Sequence, residues 1–280
     1  MPFLKRISAV WQREPEPFEV IALSHEHQGN PGTANLKHMR EAIRMFNESP
    51  RGTRIAFEIT PEKAEEIRSM ELDENTAQRI SSGEIDPKKP AIIELALHAK
   101  HSKHEIIGVD DRVLRDVSTA LETVGDWRPQ EYNKAFTLHE AVTLSIRTGV
   151  MLYNARHSNA QKGVFGTGHS IEMKFAHPKS VKLGKMPAEK LLIDIKRRRI
   201  RIIEPWKKKV LRYLVENPEE AAKTRDRINA MAHGIRDYVY APPGMNRAIK
   251  LARYLSLDKL EKTIYEPYEH LFKPKPKDRD

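Results

Sequence analysis

An α/β fold with a mostly parallel central sheet flanked by helices is what the 280-residue sequence predicts, and two observations predict it. Short apolar runs alternate with amphipathic helical patterns, the rhythm of a sheet whose strands are joined by helical crossovers. Each apolar run also ends in ionisable residues, and the functional groups of such sheets gather beyond the carboxyl ends of the strands.

Residues 20–30, VIALSHEHQGN, open the series. An apolar run bounded by Gly29, Asn30 and Pro31 has the pattern of a buried strand that ends in a loop. Side chains two apart on a strand share a face, so His25 and His27 are expected to project together while Glu26 points away. The stretch NLKHMREAIRMFNESP follows, with Leu36, Met39, Ile43 and Phe46 at helical spacing and a stop at Pro50. RIAFEIT, residues 54–60, is a second strand ending near Glu58, and Thr60 with Pro61 is an N-cap and first helical position for the next helix. SSGEIDPKK, residues 81–89, is a loop, and residues 90–103 are the next helix through Ile92, Ile93, Leu95 and Leu97.

EIIGVDD supplies a third strand ending at Asp110 and Asp111; one of the pair is expected at the site and the other as N-cap of a helix starting near Arg112. Residues 137–161 read as one long helix capped by Thr137, with Glu140 three residues on, and closed by Lys162 and Gly163. VFGTGHS then gives a fourth strand ending at His169, with Gly166 and Gly168 marking backbone freedom or close approach. Together these elements predict a Rossmann-like domain over residues 1–180. The remainder, residues 181–280, is expected to be a basic, mainly helical C-terminal extension. In it KLLIDIKRRRIRIIEP forms a hairpin or two strands, three helical stretches follow Pro205, and the tail KPKPKDRD is disordered.

Composition narrows the function. Spanning a bilayer takes roughly 20 consecutive apolar residues, and no such run occurs, so a soluble protein is expected. The N-terminus lacks a secretory apolar segment, which points to the cytoplasm. With no cysteine, disulfides, thiolate metal sites and a cysteine nucleophile are excluded. A metal would have to use His, Asp, Glu or water. Residues 181–280 carry 25 Lys/Arg against 14 Asp/Glu, a net +11, and residues 1–180 carry 24 against 25, a net −1. The basic runs KRRRIR and KKK are therefore read either as a solvated face or oligomer rim of a homo-oligomer, or as a nucleic-acid surface of salt-dependent affinity. No nucleic-acid module signature accompanies them. The full dinucleotide fingerprint is absent from the GTG segment as well.

An apolar strand ending in His, a strand ending in Glu, a long helix with a late Arg and a strand ending in Gly-x-x-His resemble, in that order, the TraB/Tiki superfamily. That group also holds the erythromycin esterases and the ChaN haem-binding proteins. Ser24 to His27 looks like its first motif, Phe57 and Glu58 like its acidic strand end, Arg156 to Ala160 like its basic helix segment, and Gly166 to His169 like its second motif. The resemblance covers roughly residues 19–175. Ser24 stands in place of the first motif's glycine, and His25 where many members carry Glu. It implies a sheet shared by peptidase-like, esterase-like and haem-binding proteins.

The expected activity is hydrolysis of an ester or amide bond in a small molecule or peptide. His27, Glu58, Arg156 and His169 are the candidate catalytic residues, and His25, His27, Glu58, Asp110 and His169 the candidate ligands of a divalent metal ion. A metal would lower the pKa of a bound water and polarise the carbonyl; without one, a His/Glu pair would act as general base. Arg156, beside His157 near a helix end, would stabilise the developing negative charge. The alternative is a non-catalytic haem- or metal-binding protein, or a nucleic-acid-binding one.

Overall fold

The computed structural model describes residues 18–23, 33–184, 203–241 and 245–273. Five parallel strands form one sheet in the order β3-β2-β4-β1-β5. These are β1 (Phe18–Leu23), β2 (Arg54–Phe57), β3 (Glu105–Gly108), β4 (Lys162–Gly166) and β5 (Val181–Leu183). The α/β, Rossmann-like class is as predicted. Between β1 and β2 lies α1 (Thr33–Glu48), and between β2 and β3 lie α2 (Pro61–Ser69), α3 (Glu74–Ser81) and α4 (Ala91–His101). From β3 to β4 the chain runs through α5 (Arg112–Trp127), α6 (Tyr132–Glu140), a π-helical turn (Ala141–Ile146) and α7 (Arg147–His157). α8 (Thr167–Ala176) leads from β4 to β5.

Strand alternation divides the apolar side chains between two layers. Ile21, Leu23, Ile55, Phe57 and Val164 pack with α1 and α4 on one face. Val20, Ala56 and Phe165 pack with Met151, Leu152 and Ala155 of α7 on the other. β4 is central, pairing with β1 through Leu23↔Gly166 and with β2 through Phe57↔Val164. The ends of β1, β2 and β4 therefore lie side by side. Beside them Gly108 passes so close to Thr60 that a Cβ would lie 2.3 Å from its carbonyl oxygen, which requires glycine there.

The C-terminal helices are α9 (Pro205–Glu216), α10 (Pro218–His233), α11 (Arg236–Val239), α12 (Met245–Tyr254), α13 (Leu257–Tyr265) and α14 (Glu269–Phe272). They share one apolar core with α5, α6 and α7, in which Leu121, Val142 and Val150 meet Leu214, Ile228, Leu251 and Ile264. The boundary expected at Val181 coincides with β5, an outer strand of the sheet. At Gly149 of α7 a Cβ would lie 2.5 Å from Ala221 Cβ and 2.7 Å from Leu214 O, so α9 and α10 approach α7 closely. No helix among the described residues is long and apolar enough to cross a membrane. Of the hairpin expected over residues 190–205, residues 190–202 lie outside the described residues and Pro205 opens α9, and the tail after residue 273 lies outside them too.

Three local expectations are corrected. Thr137 caps nothing: it sits within α6, where its hydroxyl donates to Lys134 O at 3.0 Å. Helical backbone begins earlier, at Tyr132, and continues through the π turn. The helix also closes earlier than Lys162, at His157, with Ser158 as C-cap and Asn159 at φ 51°, and Lys162 and Gly163 are the first residues of β4. Finally β4 stops at Gly166, which serves as N-cap of α8, so His169 lies in the first turn of a helix instead of at a strand end. Gly166 has φ −58° and needs no glycine-specific conformation. Gly168 does mark close approach, since a Cβ there would lie 3.0 Å from Leu144 Cδ2.

Candidate functional site

Beyond the ends of β2, β3 and β4, four charged or titratable side chains converge, each almost wholly buried: Glu58 (2% exposed), Asp110 (1%), Arg147 (6%) and His169 (5%). Glu58 is the first residue after β2. Asp110 lies two residues past β3, where Asp111 turns the chain into α5 by accepting a hydrogen bond from Leu114 N at 2.9 Å. The expected division of labour between the two aspartates is thus resolved: Asp111 caps, and Asp110 faces the cluster.

Arg147 organises the group. Its Nε donates to Asp110 Oδ1 at 3.1 Å and its Nη2 to Asp110 Oδ2 at 2.9 Å, a bidentate pair. The same Nη2 lies 3.5 Å from Glu58 Oε1. Asp110 also accepts from Arg115 Nε at 3.0 Å and from the backbone N–H of Asp111 at 2.9 Å. Burial by itself would push the Asp110 carboxyl up, but the charges of Arg147 and Arg115 outweigh it and hold the pKa below the ordinary carboxylate value. Burial likewise opposes the charge on Arg147, and Asp110 and Glu58 more than offset it, so the guanidinium is held charged above its usual range. Asp111, by contrast, is raised by burial despite its backbone hydrogen bonds.

Glu58 and His169 form the second half of the cluster. Glu58 Oε2 accepts the backbone N–H of Gly166 at 2.8 Å, tying the end of β2 to the end of β4. Glu58 Oε1 lies 3.4 Å from His169 Nε2, while His169 Nδ1 lies 2.8 Å from Thr148 Oγ1. Thr167, the first residue of α8, donates its hydroxyl to Leu23 O and so joins β1 to the site. A cleft of about 570 Å³ reaches Asp110 and Asp111 past Pro61, Arg112, Asn154 and Arg225. That is the size range of small-molecule sites, and its walls include Asp110 but neither Glu58 nor His169.

The structure therefore brings together Glu58, Asp110 and His169. Arg156 does not join them. It lies nine residues from Arg147 at the far end of α7, about 13 Å along the helix, with its Nη2 3.4 Å from His177 Nδ1. His177 donates through Nε2 to Val215 O at 2.9 Å, so Arg156 belongs to the junction of α7, α8 and α9, where burial lowers its pKa. Arg147 is the residue that sequence reasoning missed. Its signal is the segment AVTLSIRTGVMLY, an arginine set in apolar residues on both sides, since a buried charge must be paired. His25 and His27 lie outside the described residues.

The fit to a metal was tested on the donors. Among the described residues no group of three or more His, Asp or Glu side chains is arranged to hold an ion. Arg147 already supplies the positive charge between the two carboxylates. Glu58, Asp110 and His169 alone do not fit a metal. The basic run after Pro205 is also partly engaged: Lys207 pairs with Glu204 at 3.1 Å and with Glu261 at 2.7 Å. The KRRRIR run lies outside the described residues.

Against this geometry, no family model, curated protein or solved structure matches the chain.

Proposed function

We propose that the protein is a hydrolase of an ester or amide bond, of the TraB/Tiki type, with His169 and Glu58 as its proton-transfer pair. The observation that carries the reading is a buried carboxylate just past β2 and a buried imidazole, 3.4 Å away, in the first turn of the helix that follows the adjacent strand β4. Buried acid and base groups in such positions are candidates for catalysis. In the reaction a water attacks the substrate carbonyl while its proton passes to the Glu58–His169 pair, which holds it between Oε1 and Nε2. The Glu58 carboxylate stabilises the imidazolium so formed, and the same proton then goes to the leaving alcohol or amine as the carbonyl re-forms. Arg147 and Asp110 do not touch the proton path in this scheme. They hold Glu58 in position, because Arg147 is clamped by Asp110 and presents the same nitrogen to Glu58.

No step here runs through a metal, since the described donors do not make a site for one. A divalent ion completed by His25 and His27 remains the rival chemistry, and the two part company on chelation. A panel of aryl and alkyl esters and short peptides is assayed with wild-type enzyme before and after EDTA dialysis. Turnover of one class that survives chelation is the expected result. Turnover that vanishes with EDTA and returns with added zinc or manganese would transfer the proton chemistry to a metal-bound water. A wild-type protein that turns over none of these substrates and instead shows a Soret band on adding hemin would replace hydrolysis with haem binding.

A further inference from the structure

The hydrogen bonds around His169 define which of its nitrogens can move a proton. The Thr148 hydroxyl has one proton, and two partners within reach: Leu144 O at 2.5 Å and His169 Nδ1 at 2.8 Å. A carbonyl oxygen only accepts, whereas Nδ1 can donate or accept, so both contacts are hydrogen bonds only when the proton goes to Leu144 O. The threonine oxygen is left as an acceptor, and Nδ1 must then be the donor. Thr148 is fully buried, and water does not compete for these contacts.

We propose that Thr148 is the positioning residue of the site. It fixes the neutral His169 ring with its proton on Nδ1 and leaves Nε2, which faces Glu58, as the one nitrogen able to take a proton. The opposite arrangement, with the threonine donating to Nδ1, would put the proton on Nε2 and commit it to Glu58, leaving the ring no acceptor for a water proton.

The backbone explains how Thr148 reaches this place. The π-helical turn closes with the Arg147 amide donating to Val142 O, five residues back, instead of to the carbonyl four back. Leu144 lies inside that turn, and Arg147 and Thr148 are the first two residues of α7 after it. Consecutive helical residues point about 100° apart, and here one reaches Asp110 and Glu58 while the next reaches His169. The π turn thus delivers the cation and the tautomer-setting hydroxyl from adjacent positions. A threonine whose hydroxyl merely bonded back to its own helix would need no histidine beside it.

This inference rests on His169 as the proton carrier, so its test is made to stand without turnover. The protein is labelled with nitrogen-15 at histidine, and the ring of His169 is assigned by the signals lost in His169→Gln. Long-range proton–nitrogen correlation then reports which nitrogen of the neutral ring is protonated. The expected result is Nδ1–H in the wild type, a shift toward Nε2–H in Thr148→Val, and restoration of Nδ1–H in Thr148→Ser. On a substrate found in the ester and amide panel, Thr148→Val lowers kcat by roughly tenfold or more with little change in KM, and Thr148→Ser recovers it. A wild-type ring protonated on Nε2, or a ring unchanged between wild type and Thr148→Val, overturns the assignment. If the tautomer behaves as expected and no substrate is cleaved, the assignment stands and the hydrolase reading is what fails.

Discussion

Two clusters in this protein each join a buried glutamate to an arginine and a histidine, the second with an aspartate besides, and they differ in what they hold together. In the first, between α3 and α4, Glu94 is wholly buried and both its oxygens are taken. Arg79 bonds to both, the backbone N–H of Asp86 reaches Oε1 at 3.1 Å, and His98 Nε2 lies 3.3 Å away. His98 Nε2 is also within 3.2 Å of Glu84 O, so the imidazole is spent on the loop. In the second, at the strand ends, Asp110 is saturated in the same way by Arg147, Arg115 and a backbone amide. Glu58 and His169 face each other at 3.4 Å, with Glu58 Oε2 on the Gly166 amide and His169 Nδ1 on the Thr148 hydroxyl. The first cluster is a clasp that fastens a helix pair to its loop, and the second stands where a parallel sheet gathers its functional groups. Position agrees with that distinction, because Glu94 sits in a helix far along a crossover and Glu58 at the end of a central strand.

The largest effect should come from removing the cation of the site. Arg147→Met leaves two buried carboxylates without their shared partner, and breaking a buried pair from one side costs about 3–5 kcal/mol. Urea denaturation is expected to show a loss of that size. Arg79→Met should cost less, roughly 1–3 kcal/mol, because Glu94 keeps the Asp86 amide and His98, and Arg79 is itself 20% exposed. Equal losses in the two variants would erase the contrast between clasp and site.

Glu58→Gln separates the clusters by activity instead. It is expected to lower turnover by about 10²-fold or more while the protein stays folded, whereas Glu94→Gln leaves turnover of the folded protein intact.

Acid should act on the clasp in a defined window. Burial would raise the Glu94 pKa, but hydrogen bonds from His98 and Arg79 dominate and bring it from an ordinary 4.5 to about 2. A carboxylate depressed in the folded state contributes stability that is present above the unfolded pKa and lost as pH falls through the folded one. Wild-type stability should therefore decline between about pH 4.5 and about pH 2, and the Glu94→Gln variant should show a shallower decline over that interval. The smallest effect is expected from Asp73→Ala. Asp73 caps α3, the helix that presents Arg79, by accepting from Thr76 N at 2.8 Å, and losing such a cap costs about 1 kcal/mol. Thermal melts should register it with turnover unchanged.

Much of this contrast is legible in the sequence, and the failures have physical reasons. β2 and β3 announce themselves as β-branched runs stopped by a carboxylate, and Thr60-Pro61 starts a helix as a cap followed by a preset φ should. Glu58 and the Asp110–Asp111 pair follow from strand ends, and the same pattern reaches His169, which stands in the first turn of α8. β5 escapes notice because three residues, VKL, carry no periodicity. The π turn is invisible because one extra residue per turn barely disturbs apolar spacing over a segment that is buried on most sides. Arg147 and Arg156, nine residues apart, project from roughly opposite faces of an α-helix at 100° per residue. Choosing between them required knowing which end of α7 meets the strand ends. Parallel topology decides it, since a crossover helix runs back along the sheet and brings its first turn to the carboxyl ends of the strands. Strand alternation does not assign the aspartates because the paired strand β3 ends at Gly108, before either of them.

The most direct test of the account is the hydrolysis rate of His169→Gln beside the wild type, on the best substrate of the ester and amide panel, with both proteins shown folded by circular dichroism. Glutamine keeps a polar side chain at the position but cannot carry a proton between water and leaving group. The account predicts a fall in kcat of about 10²–10⁴-fold. A folded His169→Gln protein that hydrolyses the substrate at the wild-type rate would contradict it, and the buried imidazole would then be a clasp like His98.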